Sequence, residues 1–182
     1  LVQGLYRWEN RLHHGCRALP YQLLPAGWAV LRPGEKARFL TEEEAMGAAI
    51  LTGQVNGTRT ALKDAVLDLT AADVSVDGRW DDGQLTGLRI DCRLQAGIVE
   101  QREPEPADTE ELTDQLCRLA AAWLRAVVGC SQAMGCDFLS LRGQVLRAAL
   151  DPGPDTWKDL FPALPLDVTV EAVLDRSYDL TT

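Results

Sequence analysis

VLDLTAADVSVDGRWDDGQLTGLRIDCRLQAGIVEQ, residues 66–101, decides the fold. Leu88, Ile90, Cys92, Leu94, Ala96 and Ile98 alternate with Arg89, Asp91, Arg93 and Gln95, the period-two pattern of a long strand with one buried face. Val66–Val76 reads as a second strand, and Asp82-Gly83 offers a two-residue turn between the two. That link sets Leu67 opposite Ile98, Leu69 opposite Ala96 and Ala71 opposite Leu94 on one side. Toward the tip, Val74 and Val76 fall on the other side, opposite Asp91 and Arg89. Register is decisive here, because a slip of one residue inverts every side chain.

Upstream, Gly27–Leu31 and Ala37–Leu40 flank Arg32-Pro33-Gly34-Glu35, a hairpin signal. Thr41 and Glu44 then form a capping box that opens a helix running to about Gly53. Glu42, Glu43 and Glu44 suit a first helical turn, where the dipole favours acids, so they need no metal to explain them. Further upstream, Leu1, Leu5, Trp8 and Leu12 stand at helical spacing and suggest a short amphipathic helix over Leu1–Cys16.

Downstream, residues 101–109 (QREPEPADT) form a polar loop broken by prolines. Asp108 with Glu111 predicts a second capping box and a long helix. Its apolar stripe is Leu112, Leu116, Leu119, Trp123 and Val127, with Asp114 and Arg118 as an exposed pair and Gly135 as the stop. Phe138–Leu150 reads as another helix and Asp151-Pro152-Gly153-Pro154 as a loop. Asp155 then caps a short turn holding Trp157, Leu160 and Phe161. A last strand alternates Val168, Val170, Ala172 and Leu174 with Asp167, Thr169, Glu171 and Asp175. The sum is an α+β fold: a largely antiparallel sheet of about five strands with a long hairpin, packed against a long helix and two or three shorter ones.

Composition narrows the function. The 182 residues are 46% hydrophobic and 25% charged, with 18 basic against 27 acidic residues and a net charge of −9. That balance argues against nucleic acid and against adhesion to anionic lipid, both of which favour basic patches. No run of apolar residues is long enough to span a bilayer. With neither an initiator Met nor a signal-peptide pattern at Leu1, the chain reads as a piece of a longer protein. Cys16, Cys92, Cys117, Cys130 and Cys136 show no CxxC pair. Cys92 and Cys117 fall on apolar faces and read as small buried hydrophobes, and a Cys130–Cys136 disulfide is open.

The inventory of reactive groups is thin. His13, His14 and Cys16 give His-x-x-Cys, but no second cluster completes a zinc site. Asp81-Asp82 sits in a turn, where Asp is favoured locally, and Asn56-Gly57-Thr58 fits a glycosylation sequon or a turn. There is no phosphate-binding Gly-rich loop and no nucleophile elbow. No catalytic, cofactor or metal residue is assigned.

The order of these pieces resembles a known pattern. GWAVLRPGEKARFLTEEEAMGAAILTG, the long hairpin, CDFLSL and DTWKDLFPALPLDVTVEAVL together resemble the C-terminal domain of the spore germination receptor C subunit, the Ger(x)C family, over Gly27 to Ala172. The most family-like parts are a Gly-x-Ala-Val strand leading to Leu-Thr-x-x-Glu, and Trp-x-x-Leu-Phe-Pro followed by a Pro-x-Asp-Val strand. The resemblance implies residues 25–176 as the C-terminal domain, with residues 1–16 as a helix or the tail of a preceding domain. It implies a lipoprotein subunit of a nutrient germinant receptor, held at the outer face of the spore inner membrane by a lipid anchor upstream. Two integral membrane subunits would be its partners, and no enzymatic activity or cofactor comes with the family. Within that frame two roles are open. In one the domain is an assembly module, docking other subunits through aromatic anchors such as Trp28, Trp80 or Trp157. For Trp157 and Trp123 core packing is the expectation, whereas Trp80 at the hairpin tip should be the most exposed. In the other, the domain holds a small germinant in a concave apolar pocket. An enzyme of unknown class is a third reading.

Overall fold

The computed structural model describes residues 2–3, 6–9, 22–25, 28–31, 36–101, 108–145 and 154–175, the first three segments as backbone only. The long hairpin is the centre of the molecule. Strands β7 (Ala65–Asp81) and β8 (Gln84–Gln101) pair antiparallel along their whole length. The two-residue turn is as expected: Asp82 and Gly83 both have positive φ, at 45° and 76°, and Asp81 pairs with Gln84.

Leu67 faces Ile98 and Leu69 faces Ala96, as the sequence predicts. Beyond that point the register moves by one, and Ala71 lies opposite Gln95 rather than Leu94. Thr70 is the extra residue of a bulge, and its hydroxyl donates to the Gln95 carbonyl at 3.2 Å. A second bulge at Thr86, whose hydroxyl donates to the Arg79 carbonyl at 3.1 Å, restores the register near the tip. Val74 and Val76 therefore pair with Cys92 and Ile90, not with Asp91 and Arg89. The expected change of side does not occur. The chain inserts a residue instead, so Leu67, Leu69 and Val76 all reach the same core.

Strand β6 (Thr58–Ala61) extends the sheet on the β7 side, and β9 (Leu166–Asp175) pairs with β8 on the other, giving the order β6-β7-β8-β9. The β8–β9 ladder is parallel, so a crossover through the helices joins the two strands. The expected upstream hairpin is present: β4 (Trp28–Val30) pairs antiparallel with β5 (Arg38–Phe39), and Leu40 donates to the Trp28 carbonyl at 2.8 Å. The helix expected over Leu1–Cys16 is not formed where the chain is described. Val2–Gln3 (β1) pairs with β4, and Tyr6–Glu9 (β2) pairs with Gln22–Pro25 (β3). Backbone pairing with β4 and β3 outweighs the local apolar spacing.

Helix α1 (Glu42–Leu51) begins at the Thr41 capping box. Helix α2 (Thr109–Ala133) covers one face of the sheet with Leu112, Leu116, Trp123 and Val127 buried. Asp108 caps α2 through the Glu110 N–H at 3.0 Å, while Glu111 accepts from Gln115 instead of reaching back. Past Gly135 (φ 57°), the helix predicted from Phe138 starts only at Leu141: α3 spans Leu141–Val145. The Asp137 carboxylate accepts from the Leu141 and Arg142 N–H groups at 2.9 and 2.8 Å and fixes this later start. Pro154 opens α4 (Pro154–Leu160), followed by a 3-10 turn at Phe161–Ala163. Trp157 stacks on Phe161 with centroids 5.3 Å apart, and Gln132 of α2 donates to the Phe161 and Leu164 carbonyls at 3.0 and 2.8 Å. That contact locks the closing run onto the long helix.

Candidate functional site

Three surface or polar features have enough definition to be weighed. The first is a polar knot where β5, α1 and α2 meet. Glu44 Oε2 accepts from the Thr41 N–H at 2.9 Å, and Oε1 accepts from Arg38 Nη2 at 3.0 Å. Arg38 Nη1 donates to Cys130 Sγ and lies 3.8 Å from Met134 Sδ. Burial pushes the Glu44 carboxyl up, but the Thr41 N–H and the Arg38 guanidinium together outweigh it and hold it below the ordinary glutamate value. For Cys130 the balance is opposite: burial, and then the Glu44 carboxylate, raise the thiol despite Arg38. A neutral thiol is a poor nucleophile, and the contacts of Arg38, Glu44 and Cys130 tie the hairpin to the helices. The described residues contain no group of three or more His, Cys, Asp or Glu side chains that could hold a metal ion.

The second feature is apolar. In β4–β5, Ala29 pairs with Phe39, so these two share a face with Leu31, which stands two residues beyond Ala29. Leu31 and Phe39 are 51% and 56% exposed. Ala29 on that face is fully buried, as is Val30 on the opposite face, where the partly exposed Arg38 reaches α2. Exposure of two large apolar side chains on one small sheet marks a contact surface more than packing does.

The aromatic candidates are placed differently. Trp157 and Trp123 are buried, as expected. Trp80 and Trp28 are both half-buried and packed against the core, more exposed than the other two. For Trp80 the reason lies at Gly78, where a Cβ would come within 2.7 Å of Trp80 Nε1 and 2.8 Å of Leu85 and Val145 side chains. The missing side chain lets the indole fold back onto the hairpin. Phe39 was legible in principle as the outward member of the Ala37–Leu40 alternation.

The third feature is a groove of about 290 Å³ on the sheet face away from α2, lined by Asp73, Ser75, Asp91, Cys92, Arg93, Thr169 and Glu171. Arg93 and Glu171 pair across it at 3.2 Å, and Arg89 pairs with Asp91 at 2.8 Å. It is lined mostly by charged and hydroxyl residues and lies open on the sheet. Small-molecule sites are usually apolar clefts of about 300–1,000 Å³.

The remaining candidates do not converge. His13, His14 and Cys16 lie outside the described residues. Asp81 and Asp82 form the hairpin turn, and Gly57 (φ 77°) turns the chain into β6 at Thr58. Cys92, Cys117, Cys130 and Cys136 are all free thiols, so the Cys130–Cys136 bridge is not made. Cys92 is buried as expected, and Cys117 is half-buried.

The fold and sequence can be set beside known proteins. No curated protein matches the sequence. The crystal structure of the GerBC protein is similar at a TM-score of 0.56 and 12% identity, covering 79% of this chain and 49% of that one. This likeness bears on the fold, and the chain spans about half the length of that relative. The family described as "Spore germination B3/ GerAC like, C-terminal" matches residues 26–178. With that match extending from just before β4 to just past β9, the chain belongs to the spore germination B3/GerAC-like C-terminal domain family.

Proposed function

We propose that this domain is a non-catalytic assembly module of a nutrient germinant receptor, acting in spore germination as part of the receptor's C subunit. Family membership supports the process, and the exposed Leu31–Phe39 face carries the assembly reading. Phe is among the aromatic residues enriched in the buried core of protein interfaces. The partners would be the integral membrane subunits of the same receptor. The subunit would be held at the spore inner membrane by a lipid anchor upstream of residue 1. No helix among the described residues is long and apolar enough to cross a membrane, which suits that arrangement.

The germinant-binding alternative draws on the groove beside Arg93, but its small size and open form speak against it. The test is co-purification of the receptor subunits from spores carrying Leu31→Ser with Phe39→Ser in this domain. The assembly reading expects loss of association with normal folding of the domain. Association at wild-type levels would sink the Leu31–Phe39 surface, and a parallel Trp80→Ala substitution checks the hairpin tip in the same way.

A further inference from the structure

The strand β9 is an edge. Among the described residues it pairs with β8 and with no other strand. Its backbone directions follow from one bond: Leu88 N–H donates to the Pro165 carbonyl at 2.8 Å, so odd-numbered groups face β8 and even-numbered groups face outward. Two contacts agree. Arg125 of α2 reaches the Val168 carbonyl at 3.4 Å, and the Ala172 N–H is turned toward the Cys117 thiol of α2. The groups of Val170 and Leu174 also point outward, along a stretch with no Pro or Lys. Those two residue types are common protectors of sheet edges.

The side chains beside this edge have a definite character. On the α2 side, Val170, Ala172 and Leu174 are only half-buried, although Leu94 and Ala96 beside them on β8 are fully covered. The apolar layer is unfinished there. On the other side stand Asp167, Thr169, Glu171, Val173 and Asp175, with Val173 58% exposed among the acids. The groove next to them adds Asp73 and Asp91; its guanidinium at Arg93 already pairs with Glu171, and the neighbouring Arg89 pairs with Asp91. Among the described residues, carboxylates outnumber cations on this face.

We propose that the outer edge of β9, with the acidic groove beside it, docks an extended segment of a partner protein that alternates apolar and basic residues. Main-chain bonds to Val170, to the Ala172 carbonyl and to Leu174 supply the pairing, the Ala172 N–H being left to the Cys117 thiol. The segment's apolar side chains complete the layer over Val170, Ala172 and Leu174. Its Lys or Arg side chains lie over Glu171 and into the groove. Strand addition of this kind draws affinity from the backbone and specificity from alternate side chains. The surface is distinct from the Leu31–Phe39 face and does not depend on the assembly role argued there.

The probe is a fluorescently labelled ten-residue peptide alternating Val and Lys, with a shuffled peptide of the same composition as control. Binding is followed by anisotropy against the folded domain at low and at physiological salt. The alternating peptide should bind at least about tenfold more tightly than the shuffled one, since only it can keep both faces matched. Val170→Pro removes one outward N–H and should weaken binding about tenfold, because a Pro at an outward edge position leaves the β8 ladder intact. Glu171→Lys, at an exposed position, should weaken it several-fold and flatten the salt dependence. Equal binding of the two peptides would reduce the effect to non-specific attraction by an acidic protein and overturn the proposal. So would failure of the alternating peptide to bind, or binding indifferent to Glu171→Lys.

Discussion

Gly47 of α1 lies directly on the carbonyl of Trp123 in α2: a Cβ at Gly47 would sit 2.2 Å from that oxygen and 2.8 Å from Val127 Cγ1. The two helices cross at this point with no side chain between them. The closeness explains how a helix as short as α1 buries Ala48 and Ile50 fully.

Glycine inside a helix normally costs about 1 kcal/mol relative to alanine. At Gly47 the sign should invert, because the added methyl must push the helices apart. Gly47→Ala is expected to destabilise the domain by about 1–3 kcal/mol, the usual range for overpacking. Gly129, on the exposed side of α2, has nothing within 4 Å of a Cβ, so Gly129→Ala should stabilise by about 1 kcal/mol. Urea denaturation of both variants measures the opposite signs.

Gln132 holds two carbonyls of the closing run with one amide. Gln132→Ala leaves the Phe161 and Leu164 carbonyls without that partner, at an expected cost of about 1–3 kcal/mol. Hydrogen exchange should show the loss first in the 154–164 segment, ahead of the β7–β8 hairpin.

Glu44 gives an acid-side test. Its carboxyl is held below the ordinary glutamate value in the folded state. The stability it contributes is thus present above the unfolded value of about 4.3 and is lost as the pH falls toward the folded one. A Glu44→Gln variant should show a flatter fall in stability over that acid range than the parent, measured by denaturation at a series of pH values.

Cys92 gives the alkaline counterpart. Burial, with Asp73 and Cys117 nearby, pushes its thiol up to about 12. The unfolded thiol ionises near 8.5, so between there and about 12 the unfolded state holds fewer protons and the fold loses stability as pH rises. Cys92→Ala should flatten this alkaline limb. In the parent at pH 8, alkylation of Cys92 followed by mass spectrometry should proceed only as fast as the β7–β8 hairpin opens.

The long hairpin shows why sequence reading succeeded where it did. Alternation at Leu88–Ile98 has one physical meaning, a strand with a wet face and a dry one, and the Asp-Gly turn fixes where it folds back. At Val74 and Val76 the pattern changes parity. Parity alone cannot distinguish a chain that turns its side chains over from one that inserts a residue. The choice was made by the core beneath, which rewards keeping every apolar side chain on one face. Thr70 and Thr86 mark two of the three register shifts, each with a hydroxyl on the opposite strand's carbonyl.

The candidate surfaces were less legible. Trp80 looked exposed because hairpin tips are, and only the bare Cα of Gly78 shows where the indole goes. Leu31 and Phe39 stand out only once Arg38 and Val30 are seen to occupy the inner face of the same hairpin. The parallel β8–β9 ladder, and with it the open edge, joins strands separated by all of α2, α3 and α4.

What the sequence determined by itself was local and periodic: the hairpin and its turn, the Thr41 and Asp108 caps, the buried stripe of α2, and the order of motifs that marks the family. Each follows from spacing and backbone chemistry within a few residues. The tertiary structure decided the rest: the one-residue shift along the sheet, the parallel docking of β9, the side on which Trp80 lies, and which apolar groups remain uncovered. These depend on contacts between distant segments, where the shape of the neighbour, not the pattern of the chain, sets the lower free energy.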